Sequence, residues 1–117
     1  MADVIHLAEK LALFQDYWAP RTVARFNEND IHVVKVSGEF VWHNHPDTDE
    51  LFLVLRGALT IRLRDGEAQL GEGDLFIVPR GAEHQPFASG EAHLLLIEPR
   101  GTPNTGDAAT AAPRREI

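Results

Sequence analysis

Apolar and polar residues alternate in short runs along most of the chain. Eight short runs are typical of β-strands, some alternating and some continuously apolar, and they cover residues 23–26, 31–36, 40–45, 51–55, 59–63, 69–70, 75–78 and 94–97. Turn-forming residues separate the runs, with Asp65 and Gly66 forming the clearest hairpin turn. Many short strands without a helix between them predict an antiparallel sandwich or barrel.

The N-terminal segment has a different periodicity. Residues 4–18 carry apolar side chains at helical spacing, namely Ile5, Leu7, Leu11, Phe14 and Trp18. This pattern predicts a short amphipathic helix that ends before Pro20. We expect this helix to act as a brace or lid rather than to carry chemistry.

Length and composition limit the classes of function. With 117 residues, the chain suffices for one domain with a single core and is too short for two. Its formal net charge of -7, without a basic cluster, argues against nucleic acid and anionic membrane surfaces as partners. The chain also lacks an apolar run of about 20 residues and the features of a signal peptide, so we expect a cytoplasmic protein.

The chain contains no cysteine. Disulfides, thiolate catalysis and sulfur-ligated metal sites are therefore excluded. Any metal must be bound by nitrogen and oxygen ligands, which are the imidazole and carboxylate groups of histidine, aspartate and glutamate.

Three histidines and one glutamate among the predicted strands form such a ligand set: His43, His45, Glu50 and His84. Residues i and i+2 of a strand point to the same face about 7 Å apart, so His43 and His45 can converge on one ion. Glu50 opens the next strand and joins them if its face is the inner one. The turn at residues 79–83 can bring His84 in from across a barrel. Three imidazoles and a carboxylate suit a divalent transition metal that keeps positions open for a guest molecule.

The spacing of these residues resembles the two sequence motifs of the cupin superfamily. The first motif covers residues 38–57, with His43, His45, Glu50 and Gly57 at its fixed positions. The second covers residues 73–84, with Gly73, Pro79, Gly81 and His84 at its fixed positions. The whole chain is similar to the small single-domain cupins that are loosely grouped with mannose-6-phosphate isomerase-like proteins.

Two positions depart from the family pattern. Four residues, instead of the usual five, separate Gly38 from His43. Ala88 occupies the position where the second motif commonly ends in asparagine. Neither position supplies a ligand.

The resemblance implies an all-β fold: a double-stranded β-helix, or jelly-roll barrel, with a short N-terminal helix. It implies that His43, His45, Glu50 and His84 bind a divalent transition metal in the mouth of the barrel. We expect a helical segment over residues 1–20, the cupin barrel over 21–100 and a C-terminal tail without chemistry over 101–117. Iron, manganese, nickel, zinc, cobalt and copper all remain possible, because this ligand set suits each of them.

The other polar and aromatic residues have simpler explanations. We expect ordinary polar roles for His6, His32 and His93, which match no ligand position, and for the turn residue Glu83. Asp47 and Asp49 are predicted to be loop residues. The remaining aromatic residues near the motifs are expected mainly in the core, although they suit an apolar pocket: Phe40, Trp42, Phe52, Phe76 and Phe87.

The predicted function is that of a metal-binding small cupin that acts as an enzyme on a small metal-chelating molecule, with dioxygenase-type chemistry slightly favoured because groups for proton transfer are scarce near the ligands. The alternatives are a non-catalytic module that binds or senses a small ligand, and a structural barrel with vestigial ligands. We also expect a homodimer, in which the segment of residues 23–36 covers a sheet edge of the partner.

Overall fold

The alternating segments form eight strands and one short helix in the computed structural model, which describes residues 3–117. The helix α1 is Leu7–Leu11, and the strands are β1 Arg21–Phe26, β2 Asn29–Glu39, β3 Glu50–Arg56, β4 Leu59–Leu63, β5 Gly66–Leu70, β6 Leu75–Val78, β7 His84–Pro99 and β8 Arg115–Glu116. The sheet order is β5-β4-β7-β2-β1-β8, and β3 pairs with β7 and β6. This is the predicted jelly-roll barrel with a short N-terminal helix. Within residues 3–117, no helix has the length and apolar character needed to cross a membrane.

Strand β7 connects most of the barrel because it pairs with three other strands. It begins antiparallel to β4, with His84 opposite Leu63. Further along it lies between β2 and β3, where Leu95 is opposite Val33 on one side and Leu53 on the other. Strand β7 therefore links the part of the sheet that begins with His84 to β3.

The two faces of β2 pack against different partners, as strand alternation requires. Val34 and Val36 point into the barrel, where they pack in the main apolar core. Val33 points to the outside, where Leu11 and Phe14 from the N-terminal segment cover it. The N-terminal segment thus braces the outer face of β2.

The observed helix has five residues and is shorter than the predicted helix over residues 4–18. Contacts with β2 hold the following residues in another conformation. The Lys35 ammonium donates a hydrogen bond to the Phe14 carbonyl oxygen at 2.7 Å. The Trp18 indole N–H donates to the Ser37 carbonyl oxygen at 2.9 Å, and Trp18 has a φ of 60°. These tertiary contacts outweigh the helical periodicity of the sequence.

Two predicted strand boundaries were also wrong. Residues 40–45 do not form a strand: β2 resumes its pairing with β7 after the register irregularity between Val36 and Gly38 but ends at Glu39, and beyond it only His43 forms an isolated bridge. Strand β7 begins ten residues before the predicted start at residue 94. Its first residues pair with β4 and with the end of β2 up to Ala88, and the pairing with β2 resumes at Ala92.

The C-terminal segment of residues 101–117 packs against the barrel. The Arg114 guanidinium donates two hydrogen bonds of 2.9 Å to the carboxylate of Asp30, which is only 1% exposed. Strand β8 pairs in parallel with the start of β1. Gly106 lies so close to Asn44 that a Cβ atom there would be 2.1 Å from the Asn44 carbonyl oxygen. The segment that we expected to lack chemistry therefore contacts Asn44, between His43 and His45. The division of the chain at residues 20 and 100 stays a prediction.

Candidate metal centre

A backbone bridge places two of the candidate ligands opposite each other. The His43 N–H donates to the His84 carbonyl oxygen at 3.0 Å, and the His84 N–H donates to the His43 carbonyl oxygen at 2.9 Å. The two imidazole rings have centroids 4.3 Å apart. The first residue of β7 is thereby attached to the irregular segment that follows β2.

Hydrogen bonds to backbone carbonyls orient both rings in the same way. The Nδ1 atom of His43 lies 2.9 Å from the Val41 carbonyl oxygen, and Nδ1 of His84 lies 2.9 Å from the Ala82 carbonyl oxygen. Because a carbonyl oxygen only accepts, Nδ1 carries the proton in both rings. The Nε2 atoms therefore present lone pairs, which is the state that a metal ligand requires.

His45 and Glu50 complete the site from the loop before β3 and from the first residue of β3. Glu50 faces the interior because Glu50, Phe52 and Val54 alternate as buried positions along β3. Its Oε2 atom contacts Nε2 of His45 and lies 3.9 Å from Nε2 of His84. A backbone hydrogen bond of 2.9 Å from Gly81 N–H to the His45 carbonyl oxygen joins this loop to the turn before β7.

The structure brings together the four residues predicted from the sequence, which we call the His/Glu cluster: His43, His45, Glu50 and His84. All four are buried, and one ligand atom of each lies within 4.8 Å of the others. These atoms face one another, and none has a hydrogen-bond partner elsewhere among residues 3–117. Buried polar atoms without partners are rare, and ligand atoms on one ion lie about 4.4 Å apart at most. A small contraction therefore fits the His/Glu cluster to a divalent metal ion.

Burial and charge set the protonation of the His/Glu cluster. Burial lowers the pKa of His43 and of His84 below the ordinary imidazole value of 6.5. Burial acts in the same direction on His45, but the neighbouring Glu50 carboxylate outweighs it and raises the pKa of His45. His43 and His84 are therefore neutral at pH 7, ready to bind a metal.

The lowered pKa of His84 leads to a prediction for the metal-free protein. Below pH 6.5 the His84 imidazole takes up a proton in the unfolded chain. In the folded protein the same imidazole stays neutral until the pH reaches its lowered pKa. The stability that neutral His84 contributes is thus present above pH 6.5 and is lost as the pH falls through the folded pKa. Urea unfolding with a chelator present should show a steeper loss of stability from pH 7 to lower pH for wild type than for His84→Asn. If the unfolding free energies of the two proteins changed with pH in parallel, the lowered pKa of His84 would be contradicted.

A small cavity, which we call the inner cavity, adjoins His43 and Glu50. Its volume is about 30 Å³, enough for about one water molecule. Most of the side chains around it are apolar, namely Trp18, Val34, Val36, Phe40, Phe52, Leu94 and Leu96. Two of the aromatic residues that we expected in the core, Phe40 and Phe52, therefore line a cavity beside the candidate metal site.

One charged residue of the inner cavity, Glu98, was not singled out from the sequence. It is 5% exposed, and burial raises the pKa of its carboxyl group. The sequence contains a signal for it, because Leu94, Leu96 and Glu98 occupy the same face of one strand and a charge stands where alternation calls for an apolar residue. Asn104 also lines the cavity, but nothing in the sequence of the tail indicates this.

Other residues considered in the sequence lie outside the His/Glu cluster. The Asp49 carboxylate accepts a hydrogen bond of 2.9 Å from the Arg80 backbone N–H. Glu83 lies 3.4 Å from Arg64 in an exposed ion pair, and Arg64 also stacks over the Trp42 ring at 3.9 Å. Trp42 is 36% exposed, so the expectation that it lies in the core was wrong.

Comparison with known proteins identifies the family. The family model Cupin_2, described as a cupin domain, matches residues 30–98. The chain belongs to the cupin family. The match contains β2 to β7 almost completely and includes every residue of the His/Glu cluster. The cupin barrel thus accounts for the part of the chain that carries the candidate metal centre.

Individual cupins and other relatives extend this result. A cupin-2 domain containing protein from Shewanella frigidimarina has a crystal structure that matches this chain with a TM-score of 0.82 and 45% identity, covering 83% of this chain and 95% of that chain. The Bacillus subtilis protein YdbB, named as uncharacterized, is 38% identical over 65 residues, which are 55% of this chain and 58% of YdbB. A Saccharolobus solfataricus protein, provisionally named a dioxygenase, is 28% identical over 92 residues, 76% of this chain and 24% of that protein. The chain therefore spans less than two-thirds of either curated relative.

Proposed function

We propose that the His/Glu cluster binds a divalent transition metal and that the protein uses it to bind and oxidise a small metal-chelating molecule. The observation that carries the proposal is the convergence of four buried, unpartnered ligand atoms beside an apolar cavity. Such atoms gain a partner when an ion binds, which offsets the cost of their burial.

The ligand set defines what the protein contributes. The Nδ1 hydrogen bonds to Val41 and Ala82 keep the rings of His43 and His84 in the ligating tautomer. Glu50 adds one negative charge, which lowers the charge of the site when an ion is present. A divalent ion with these four ligands would supply Lewis-acid polarisation at its remaining coordination positions, which a chelating molecule could occupy.

Two observations favour oxidation of the guest molecule, the dioxygenase-type chemistry. The apolar side chains of the inner cavity exclude water, which protects reactive species from side reactions. The similar protein from S. solfataricus is provisionally named a dioxygenase. Sugar isomerisation requires groups that move protons, and among the described residues lining the inner cavity only Glu98 offers one besides the candidate ligands His43 and Glu50.

Oxygen consumption tests this function. The protein is loaded anaerobically with Fe(II) and, in parallel samples, with manganese, nickel or copper. Each sample is then mixed with an oxygen-containing solution of a diketone, a catechol or a thiol. The proposal predicts oxygen uptake with at least one pair of metal and substrate, and none with the His45→Ala variant. Binding of these molecules without uptake for any metal would instead support a non-catalytic binding or sensing module.

Two predictions about the protein in the cell also stay proposals: a cytoplasmic location and a homodimer. Strand β2 is paired on both sides, by β1 and β7, so it is not available to a partner. Strand β8 covers only Arg21 and Thr22 of β1, which leaves the edge of residues 23–26 free, and Phe26 there is 59% exposed. We propose that the homodimer forms at this edge. Sedimentation that shows only monomer at micromolar concentration would contradict it.

A further inference from the structure

Glu98 lies at the junction of two cavities. The inner cavity is on one side, and on the other is a larger cavity of about 270 Å³ beneath the C-terminal segment, which we call the outer cavity. Pro20, Glu98 and Asn104 line both. A cavity of about 150 Å³ is enough to hold benzene. A molecule with a single ring therefore fits the outer cavity and meets Glu98, which on its other side lines the inner cavity together with His43 and Glu50.

Two buried side chains hold the Glu98 carboxylate in place. Nε2 of His32 lies 3.2 Å from Oε1 of Glu98, and Nδ1 of His32 lies 3.0 Å from the Thr22 hydroxyl oxygen. When the hydroxyl donates to Nδ1, Nε2 carries the proton and points it at Oε1. Apart from His32, no side chain in the described part of the chain lies within hydrogen-bonding distance of this carboxylate. Its second oxygen is therefore left for another partner.

A role in stability alone does not account for this arrangement. A buried hydrogen-bonded pair usually gains little over apolar groups of the same shape. The neighbours of Glu98 on its face of β7, Leu94 and Leu96, show that apolar side chains fit there. The carboxylate stands at the one place where the core borders the inner cavity and the outer cavity, which suits contact with a ligand.

The charges around the inner cavity restrict the ligand. No lysine or arginine from residues 3–117 lines it, whereas the carboxylates of Glu50 and Glu98 both do. In the outer cavity, the Arg114 guanidinium is already paired with Asp30 and Glu116. Apart from the metal, a phosphorylated or carboxylated molecule would therefore find no unpaired cation beside Glu98 among the described residues. A neutral ring with hydroxyl groups instead offers donors to a carboxylate and adjacent oxygens to a metal.

We propose that Glu98 anchors the ligand of the metal centre by accepting a hydrogen bond from a ring hydroxyl, with His32 and Thr22 as positioning residues. The ligand class is a neutral single-ring molecule with adjacent oxygen atoms, at least one of them a hydroxyl. This inference rests on the proposed metal binding by the His/Glu cluster, and it does not depend on oxidation of the ligand.

Ligand titration of the cobalt-loaded protein tests the anchor, with the visible spectrum of Co(II) as readout and with catechol and azide as probes. In Glu98→Gln, the amide oxygen stays with the His32 N–H, so the amide NH₂ replaces the acceptor oxygen on the ligand side. We expect catechol to bind about ten- to a hundred-fold more weakly, since a hydrogen bond to a charged group is lost. Azide has no hydroxyl and is an anion, so its affinity should stay unchanged or increase.

Two further variants complete the design. Glu83→Gln makes the same chemical change in an exposed carboxylate that pairs with Arg64, and it should alter neither affinity. Thr22→Val removes the partner of His32 Nδ1 and should weaken catechol binding to a smaller extent than Glu98→Gln. Urea unfolding of each metal-free variant establishes that the fold is retained.

The results separate the anchor from the metal site. Unchanged catechol affinity in folded Glu98→Gln, or an equal loss of catechol and azide, would overturn the anchor. Wild-type protein that takes up no cobalt would overturn the metal site and the anchor with it. A selective loss of catechol binding in a protein that consumes no oxygen would support the anchor and count against the oxidative function.

Discussion

Replacing His45 with alanine is expected to lower the affinity for divalent metal by more than about a hundredfold, because residues that only support metal ligands already contribute ten- to a hundred-fold. His45 supplies one of the four ligand atoms and is only 4% exposed. Because this position is buried, a group from the protein surface does not take its place as a ligand. The backbone hydrogen bond from Gly81 to the His45 carbonyl does not depend on the side chain, so the barrel should remain folded. Competition with a chromophoric chelator measures the affinity.

A matched control for this experiment is His93→Ala. Nε2 of His93 is hydrogen-bonded to the Glu91 carboxylate at 2.7 Å, and His93 is outside the His/Glu cluster. The control should bind metal with wild-type stoichiometry in elemental analysis. The same stoichiometry and affinity in His45→Ala would show that His45 is not a ligand.

Replacing Gly57 with alanine is expected to lower the free energy of unfolding by about 2 kcal/mol or more. Gly57 has a φ of 84°, in the left-handed region that disfavours side chains. A Cβ atom there would also lie 2.9 Å from the Glu91 carbonyl oxygen and 3.2 Å from Cα of Ala92. Both neighbours are backbone atoms of β7, so relief of the contact must shift the strand. Urea unfolding at neutral pH measures the change.

Gly90→Ala provides the comparison on the neighbouring strand. A Cβ atom at Gly90 meets nothing within 4 Å, and its φ lies outside the left-handed region. We expect its free energy of unfolding to stay within about 0.5 kcal/mol of wild type. Equal destabilisation of the two variants would mean that the close approach at Gly57 does not occur.

The fold and the convergence of the His/Glu cluster were predictable because their signals are local or belong to family motifs. Alternation of apolar residues located most strands, and turn residues separated them. His43, His45 and Glu50 lie within one short segment, and the turn with Pro79 and Gly81 directs His84 toward them. These sequence spacings predict the His/Glu cluster even when the predicted strand boundaries are wrong by a few residues.

The missed features depend on contacts between distant parts of the chain. The role of Glu98 follows from the packing of β7 beside Glu50 and from cover by the C-terminal segment, which the strand pattern does not encode. The helix ended early because Lys35 and Ser37 bind the backbone and side chain of the N-terminal segment. The packing of the tail against the barrel was not predicted, because ion pairing and hydrogen bonds, with Arg114 and Asp30 foremost, attach it in place of an apolar core.

The pairing of β7 with three strands also determines how the protein must fold. Strands β2, β3 and β4 each lack one of their two neighbours until residues 84–99 join them, so these three pairings close long loops. Such high contact order is typical of folding in milliseconds to seconds. During synthesis, the chain up to residue 83 exposes unpaired strand edges that are prone to aggregation. His84 arrives with β7, so the last ligand of the His/Glu cluster enters in the same step that completes the sheet.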